Sequence, residues 1–300
     1  MINSFKKDFL LAPYTTYQIG GLADYFFIAK TKHDFINALE WTKTEHMPLT
    51  IIGGGSNVLI SDSGVSGLVI LNKTKQYRFE SDCLISESGV SISRLARESI
   101  QQNLSGLDFA TNIPGTIGGA IVGNAGASGK DISDSLISVL VWNTIHGLSV
   151  LDKIDLELSY RSSLLRETRD KVLLEAKFQL VKGDKEIMSK LSKIDLMKRC
   201  QNYRGQSCGS YFKNPIDTQI LFKGKVIENP SAGLLIDSLG LKGLSVGGAS
   251  ISSYHANVIV NKKKASAGDI INLEEIIVKK VKDEYGIKLT PEVIKIGKYI

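Results

Sequence analysis

Apolar residues recur with two periods along the chain, and these periods predict short strands that alternate with helices. Continuous apolar runs predict strands at residues 23–29, 49–52, 68–71, 83–86, 138–142, 148–151, 172–180 and 257–261. Apolar residues three and four positions apart predict helices. Because many of the strands are short and hairpin-like, the pattern favours an α+β fold over a doubly wound parallel sheet.

Several segments carry the helical spacing, and most begin at a residue that can cap a helix. They run from Asp34 to about Glu45 with Phe35, Ile36 and Leu39 on one face; from Ser91 through Ile92, Leu95, Ala96, Ser99 and Ile100; from Asp184 to about Arg199 with Ile187, Leu191 and Ile194 in register; from Ser231 through Leu239 to Gly240; and from Asp269 to Gly286 with Ile270, Ile277, Val278 and Val281 inward.

Glycine is concentrated in two uncharged stretches. Residues 113–127 contain five glycines and no charged side chain, and Gly53–Ile60 directly follows a predicted strand. Without a Cβ, backbone N–H groups can approach an anion closely and form a phosphate-binding nest. A tight structural turn between core elements is the alternative explanation for residues 113–127.

Neither stretch fits the common nucleotide-binding fingerprints. In G-x-G-x-x-G the third glycine opens a helix, but Val58 stands there and residues 61–64 predict a turn. The phosphate-binding P-loop requires G-K-[ST], which does not follow either stretch. The sequence therefore argues against a Rossmann domain and against a P-loop nucleotidase.

Length and charge limit the class of protein. The chain has 300 residues, enough for two domains, and we place their boundary within residues 182–200. The net charge of 37 − 31 = +6 suits anionic small molecules. The basic residues are scattered apart from Lys262–Lys264, which predicts a solvated loop, so we expect no nucleic-acid partner.

Cysteine and histidine usage argues against a metal site. Cys83, Cys200 and Cys208 lack metal-ligand spacing, and an odd number cannot pair completely within one chain, which favours a reducing compartment. The histidines lie far apart, without an H-x-x-x-H pair. The chain shows no signal-peptide core and no apolar run of membrane length. We expect a cytoplasmic protein without a metal or a membrane partner.

Several short segments in a fixed order resemble one enzyme family. The segments cover residues 15–21, 53–61, 104–107, 113–127, 160–163, 208–215, 240–249, 255–261 and 291–293. Each is weakly specific alone, but together they resemble the UDP-N-acetylenolpyruvoylglucosamine reductases, the bacterial flavoenzymes of peptidoglycan precursor synthesis. The resemblance runs nearly from end to end of the chain.

The resemblance implies an α+β fold with an FAD-binding module of the vanillyl-alcohol-oxidase (PCMH) type, followed by a smaller α+β substrate-binding domain. It assigns residues 1–190 to FAD binding, with lobes of about 1–75 and 76–190. It assigns residues 200–300 to the substrate, with a tail from about 288 that returns to the flavin. We expect non-covalent FAD, because neither glycine stretch contains His or Cys. The implied FAD contacts are Gly53, Gly54, Gly55, Ser56, Asn57, Leu59, Pro114, Gly115, Thr116, Gly118, Gly119, Asn124 and Gly126.

The implied reaction is the NADPH-dependent reduction of the enolpyruvyl group of UDP-N-acetylglucosamine-enolpyruvate to UDP-N-acetylmuramate. Hydride passes from NADPH to N5 of FAD and on to C3 of the substrate, and C2 is protonated. Ser210 matches the proton-donating serine, and Arg161 and Glu292 match the pair that polarises the substrate. A guanidinium suits a carboxylate and a developing negative charge. Lys213 would ease alkoxide formation, and the implied substrate contacts are Tyr160, Lys213 and Asn214.

Some features depart from the family's pattern. Ser128 stands where Tyr is usual, and Gln18 where a basic residue is common. The short stretch between residues 180 and 209 is typical of the compact form of the family. Residues 216–229 are longer than that form predicts, so the subtype stays open.

Alternatives remain at this stage. In the same fold, a flavin oxidase of small alcohols or hydroxy acids is one, and a non-catalytic nucleotide-binding protein is another. The contexts of Ser210, Arg161 and Glu292 argue against both. If residues 208–212 form a regular strand, Cys208 shares a face with Ser210 and is a rival proton donor. We expect a monomer whose partners are small molecules.

Overall fold

The fold is described from a computed structural model, which covers residues 5–168, 170–202 and 204–299. Hydroxyl side chains cap most of the helices. The helices are α1 (Lys32–Thr44), α2 (Ile92–Gln101), α3 (Ile117–Val122), α4 (Leu164–Glu167), α5 (Lys185–Asn202), α6 (Ala232–Ser238) and α7 (Ala267–Tyr285). The side chain before each helix accepts the N–H group of the third residue after it; these caps are Thr31, Ser91, Thr116, Ser163, Asp184, Ser231 and Ser266.

The predicted starts of α1 and α7 are wrong by a few residues. Thr31 and Ser266 are the caps, and Asp34 and Asp269 lie three positions later. Each aspartate accepts the backbone N–H of its cap residue, at 3.2 Å for Thr31 and 3.1 Å for Ser266. Hydroxyl and carboxylate together form a capping box, in which both residue types satisfy free N–H groups. The prediction from the sequence named the carboxylate alone as the cap.

The strands form several small sheets. They are β1 (Lys6–Leu10), β2 (Leu22–Ala29), β3 (Leu49–Ile52), β4 (Val58–Ile60), β5 (Val65–Asn72), β6 (Tyr77–Glu80), β7 (Cys83–Glu87), β8 (Leu104–Ser105), β9 (Gly126–Ala127), β10 (Lys130–Asp131), β11 (Leu136–Asn143), β12 (Gly147–Asp152), β13 (Lys171–Gln179), β14 (Val181–Lys182), β15 (Gln219–Phe222), β16 (Lys225–Glu228), β17 (Ser245–Val246), β18 (Ala249–Ile251), β19 (Ile259–Asn261) and β20 (Ile294–Ile296). The predicted α+β class and most predicted strands are confirmed.

The chain forms two compact units that interleave along the sequence. The first unit comprises the residues up to Lys7, Asp24–Gly54 and Gly67–Lys198; the second comprises Asp8–Ala23, Gly55–Ser66 and the residues from Arg199 onward. The predicted FAD and substrate domains, 1–190 and 200–300, are defined by ligand binding and not by internal contacts. Their bounds therefore stay a prediction.

In the first unit, an antiparallel sheet has the strand order β12–β11–β13–β7–β6. Its residues Leu84, Val139 and Phe178 share a buried cluster with Leu95 of α2 and Ile117 of α3. Another sheet has the order β1–β2–β5–β3, with β3 parallel to β5. The two helices are thus packed on side chains of the antiparallel sheet.

In the second unit, α7 supplies the centre of the core. Its residues Ile270, Ile277 and Val281 are buried in one cluster with Tyr211 and Phe212. β17, β18 and β19 form an antiparallel sheet, and β20 pairs with β4 in parallel. The long segment 216–229 is the β15–β16 hairpin, with positive φ at Lys223 and Gly224. Two such residues in succession match the twist of a hairpin.

The apolar residues of α5 have helical spacing, but most of them are exposed. Ile187, Leu191 and Ile194 are in register as predicted, but their exposures are 59%, 54% and 41%, and Met188 is the buried residue of this helix. By contrast, the predicted inward residues of α2 are all buried. Periodicity predicts which residues share a face but does not show that another element covers that face.

A helix inside the central glycine stretch was not predicted. α3 spans Ile117–Val122, and the side chain of Thr116 caps it. Glycine disfavours a helix interior by about 1 kcal/mol relative to alanine. Here Ile117 and Ile121 are fully buried, so tertiary packing overrides the local preference.

Truncation of matched leucines tests the difference between α2 and α5. Leu95→Ala should destabilise the chain by about 2–5 kcal/mol, because it opens a cavity in a packed core. Leu191→Ala should stay within about 0.5 kcal/mol, because the side chain is mostly in water. Urea unfolding followed by circular dichroism measures both. Equal losses would show that the apolar face of α5 is covered.

Candidate active site

The two glycine stretches contact each other backbone to backbone within the first unit. A Cβ built on Gly54 would lie 2.8 Å from the Cα of Gly115. A Cβ on Gly53 would overlap the hydroxyl of Thr116. Because real side chains do not approach this closely, the contact requires glycine at positions 53 and 54. Gly53 and Gly54 therefore lie directly against Thr116 and Gly115.

The N–H groups at this contact are open to a ligand. In the described part of the chain, the N–H groups of Gly54 and Gly115 donate to no protein acceptor. Gly54 is exposed and Gly115 is half-buried. The first N–H groups of α3 are used differently, because Ile117 donates to the carbonyl of Val90 at 2.9 Å. The open donors fit an uncharged nest for a phosphate-bearing cofactor.

Arg161 lies at the far end of the central glycine stretch. Its Nη1 donates to the carbonyl of Asn124 at 3.3 Å, and its Nη2 donates to the carbonyl of Gly126 at 2.9 Å. The guanidinium lies over the ring of Tyr160, 5.3 Å from its centroid. Arg161 is thus part of the same site as the glycine stretch, and the planar fork suits two carbonyls at once.

A tight turn presents Tyr160 and Arg161. Ser159 and Ser162 exchange backbone hydrogen bonds of 3.2 and 3.1 Å, so Tyr160 and Arg161 form the tip between them. Arg161 has φ +56, which is uncommon for a residue with a side chain. The hydroxyl of Ser163 donates to the carbonyl of Val122 at 2.8 Å and ties the turn to the end of α3. A solvated loop would not be fixed in this way.

Asn124 connects this turn to the rest of the stretch. The side chain is buried, and its Nδ2 donates to Asp131 at 3.1 Å and to the carbonyl of Ser159 at 2.9 Å. Its Oδ1 is buried without a hydrogen-bond partner among the described residues. A buried acceptor of this kind suits a donor on a bound molecule. Asn124 therefore fits its predicted role as a contact of the cofactor.

In the second unit, the segment after Ser210 pairs with the segment that ends at Glu292. Glu292 donates its N–H to the carbonyl of Tyr211 at 2.8 Å, and Lys213 donates to the carbonyl of Thr290 at 2.9 Å. The bonds are antiparallel, with a bridge between Phe212 and Pro291. The structure thus brings the backbones of Ser210 and Glu292 together, while Arg161 belongs to the first unit.

The end of the Gly53–Ile60 loop lies beside Glu292. Nδ2 of Asn57 donates to the carbonyl of Glu292 at 3.4 Å, and Ile294 donates to the carbonyl of Asn57 at 3.0 Å. The side chain of Leu59 is fully buried, and its carbonyl accepts the hydroxyl of Tyr299 at 2.5 Å. Glu292, just before β20, therefore lies beside the end of the Gly53–Ile60 loop.

Strand alternation does not relate Cys208 to Ser210. Residues 208–211 are not in a strand, so the condition under which the two side chains would share a face is not met. Cys208 packs in the core with Tyr17 and Tyr211. Burial raises the pKa of its thiol to about 12. The thiol is therefore protonated at neutral pH.

Other predicted positions have structural partners of their own. Oδ1 of Asn214 accepts the N–H of Ala232 at 3.1 Å, at the start of α6. Gln18 and Ser128, the two departures from the family's pattern, have φ +54 and φ +55, and Oε1 of Gln18 accepts a hydrogen bond of 2.6 Å from Gln206. Both departures thus fall at backbone positions that a residue with a side chain seldom adopts.

A buried polar network beneath this segment was missed from sequence. The hydroxyl of Tyr211 donates to Glu274 at 2.6 Å, and Lys295 forms an ion pair with Glu274 at 2.9 Å. Burial, reinforced by the Glu274 carboxylate, raises the pKa of Tyr211, so its hydroxyl remains a donor. Glu274 lies four residues after Ile270 and three before Ile277, on the inward face of α7. A carboxylate on that apolar face is the sequence signal that would have marked it.

Neither a metal site nor a membrane-spanning helix is found among the described residues. They contain no group of three or more His, Cys, Asp or Glu side chains placed to hold a metal ion. Among them, too, no helix is both long and apolar enough to traverse a bilayer.

Comparison with known proteins gives matches over both parts of the chain. Residues 201–296 match the family described as "UDP-N-acetylenolpyruvoylglucosamine reductase, C-terminal domain". Residues 23–147 match the family described as "FAD binding domain". The second match contains both glycine stretches, and the first contains Ser210 and Glu292.

Full-length relatives agree. The UDP-N-acetylenolpyruvoylglucosamine reductase of a Synechocystis species is 36% identical over 96% of this chain and 90% of its own. That of a Synechococcus species is 38% identical over 98% and 94%. The crystal structure of the same-named reductase from Thermus caldophilus has a TM-score of 0.78 at 30% identity, covering 96% of this chain and 97% of that one.

Proposed function

The chain belongs to the UDP-N-acetylenolpyruvoylglucosamine reductase family, and we propose that Ser210, Arg161 and Glu292 carry out its reaction. The family is one of FAD-dependent oxidoreductases, and the chain is a UDP-N-acetylmuramate dehydrogenase. With NADPH it reduces the enolpyruvyl group of UDP-N-acetylglucosamine-enolpyruvate to UDP-N-acetylmuramate for peptidoglycan synthesis. The antiparallel pairing of residues 211–213, directly after Ser210, with residues 290–292 carries the proposal for the site.

The residues at the glycine contact fit FAD. The open N–H groups of Gly54 and Gly115 would hold the pyrophosphate, and the free Oδ1 of Asn124 would accept a hydrogen bond from the cofactor. The remaining predicted contacts lie in the same two stretches, which contain no His or Cys for covalent attachment. When bound, FAD supplies the group that passes hydride between NADPH and the enolpyruvyl carbon.

Ser210 has the role of proton donor. Hydride addition at C3 places negative charge on C2 and the carboxylate of the substrate, and C2 must then take a proton from one face. A serine hydroxyl is a weak acid, but an enolate is basic enough to accept its proton. Lys213, three positions on, would stabilise the alkoxide that remains. The backbone bonds of residues 211–213 hold this segment in place.

Arg161 and Glu292 have the role of polarising the substrate. A guanidinium fixed by two carbonyls costs no reorganisation when charge develops, and such preorganised donors stabilise a transition state. Glu292 is held through its N–H to Tyr211 and through its carbonyl to Asn57. Tyr160, Lys213 and Asn214 would complete the substrate contacts.

The wider setting follows from the same proposal. An FAD-binding domain over residues 1–190 and a substrate domain over residues 200–300 are supported by the matches to residues 23–147 and 201–296. We also propose that the enzyme works as a monomer in the cytoplasm, where NADPH is available. The relatives argue against the flavin-oxidase and non-catalytic alternatives, because they are named as reductases.

Ser210→Ala should separate the two halves of the reaction. Flavin bleaching by NADPH should stay close to normal, because Ser210 has no part in it. Reoxidation by the enolpyruvyl substrate should slow about 10²–10⁴-fold, the usual effect of removing a general acid. Anaerobic stopped-flow absorbance measures each half separately.

Cys208→Ala is the matched control for Ser210→Ala. It should leave reoxidation unchanged, because the thiol is packed in the core. Equal slowing of both halves by Ser210→Ala would make that residue structural. Slow reoxidation only in Cys208→Ala would identify the thiol as the donor.

Arg161→Lys should lower turnover about 10²–10³-fold, although the charge is kept. An ammonium lacks the planar fork that spans the carbonyls of Asn124 and Gly126. Steady-state kcat with saturating NADPH and substrate measures the loss. A variant with near-normal kcat would show that Arg161 only supports the turn.

A further inference from the structure

Asn257 makes three hydrogen bonds to the two residues that follow Ser210. Its carbonyl accepts the N–H of Tyr211 at 2.8 Å. Its side-chain Oδ1 accepts the N–H of Phe212 at 2.9 Å, and its Nδ2 donates to the carbonyl of Phe212 at 2.9 Å. One side chain thus satisfies both backbone groups of Phe212, as a neighbouring strand would.

The opposite edge of the same segment is bonded to Glu292 and Thr290. The carbonyl of Tyr211 accepts from Glu292, and the N–H of Lys213 donates to Thr290. Residues 211–213 therefore lie between two partners, with Asn257 on one side and the C-terminal segment on the other. A shift on the Asn257 side changes the position of Ser210 relative to Glu292.

The clamp is rigid because Asn257 is itself buried and held. It is 2% exposed, and its N–H donates to Nδ1 of His255 at 3.2 Å. Burial lowers the pKa of His255, which keeps the ring neutral so that Nδ1 can accept. Tyr211 and Phe212 are buried and not in a regular strand, so their backbone groups depend on these hydrogen bonds for partners.

We propose that Asn257 is a positioning residue, which holds Ser210 in register with Glu292 for the proton transfer to substrate. The proposal rests on the role of Ser210 in the proposed function. A misplacement of about 1 Å can cost about 10²-fold in a chemical step. Asparagine suits this position because its amide offers a donor and an acceptor on one short side chain.

Asn257→Leu tests the proposal, since leucine keeps the volume and removes both side-chain hydrogen bonds. Reoxidation of the reduced flavin by the enolpyruvyl substrate should slow about 10- to 10²-fold. Flavin reduction by NADPH should stay within about twofold, because no proton passes from Ser210 in that half. The solvent deuterium isotope effect on reoxidation should rise, because proton delivery then limits that half-reaction.

Asn143→Leu is the matched control. Asn143 is also buried, its Oδ1 accepts N–H groups of Ile145 and His146 at 2.7 and 3.0 Å, and its Nδ2 donates to Asp170 at 2.9 Å. It clamps a turn of the first unit in the same manner. This variant should lose stability without a selective effect on reoxidation. Circular dichroism and flavin content establish that each variant is folded.

Ser210→Ala measured in parallel separates this proposal from the proposed function. If Ser210→Ala leaves reoxidation fast, the role of Ser210 is wrong. If Ser210→Ala slows reoxidation but folded Asn257→Leu does not, or slows both halves equally, the positioning role is overturned. If Asn257→Leu fails to fold, Asn257→Ala replaces it and is judged by the same criteria. Alanine removes the amide without placing a branched apolar side chain beside the backbone of Phe212.

Discussion

The contact between Gly54 and Gly115 is the constraint on which the cofactor region depends. A Cβ on Gly54 would lie 2.8 Å from the Cα of Gly115, so any side chain there drives the two loops apart. One loop leaves β3 and the other enters α3, and both elements are anchored in the first unit. The N–H groups of α3 are largely satisfied within the protein. The N–H groups open to a phosphate are therefore those of Gly54 and Gly115. The contact between the two loops decides whether both can reach one phosphate.

A second constraint acts on the residues that handle the substrate. The segment after Ser210 is buried but is not part of a regular sheet, so each of its backbone groups needs a partner. Asn257 supplies partners on one edge, and residues 290–292 supply them on the other. Pairing of β20 with β4 then places Asn57 against the carbonyl of Glu292. Satisfying buried hydrogen bonds and assembling Ser210 with Glu292 are thus one structural requirement.

The sequence predicts much of the fold because periodicity and caps are local. The buried face of α2, the Ser231 cap of α6 and the Gly286 end of α7 are confirmed. The exposure of Leu191 depends on what covers α5, and α3 forms against local propensity through packing; neither is a local property. The glycine stretches were recognised by composition, but their mutual contact was not. Asn257 was missed because an isolated polar residue gives no periodic signal. Glu274 was missed although it lies in register with the inward apolar residues of α7.

FAD affinity of Gly54→Ala against Gly268→Ala tests the central claim, that the loop contact forms the cofactor cradle. Overpacking costs about 1–3 kcal/mol, and since 1.4 kcal/mol is tenfold in a dissociation constant, Gly54→Ala should weaken FAD binding about tenfold or more. Gly268 lies in α7, where the nearest atom to an added Cβ is Ser266 Oγ at 3.5 Å, so its variant should bind FAD normally. Fluorescence titration of flavin-depleted protein, with folding checked by circular dichroism, measures both constants. Unchanged affinity in folded Gly54→Ala would contradict the account.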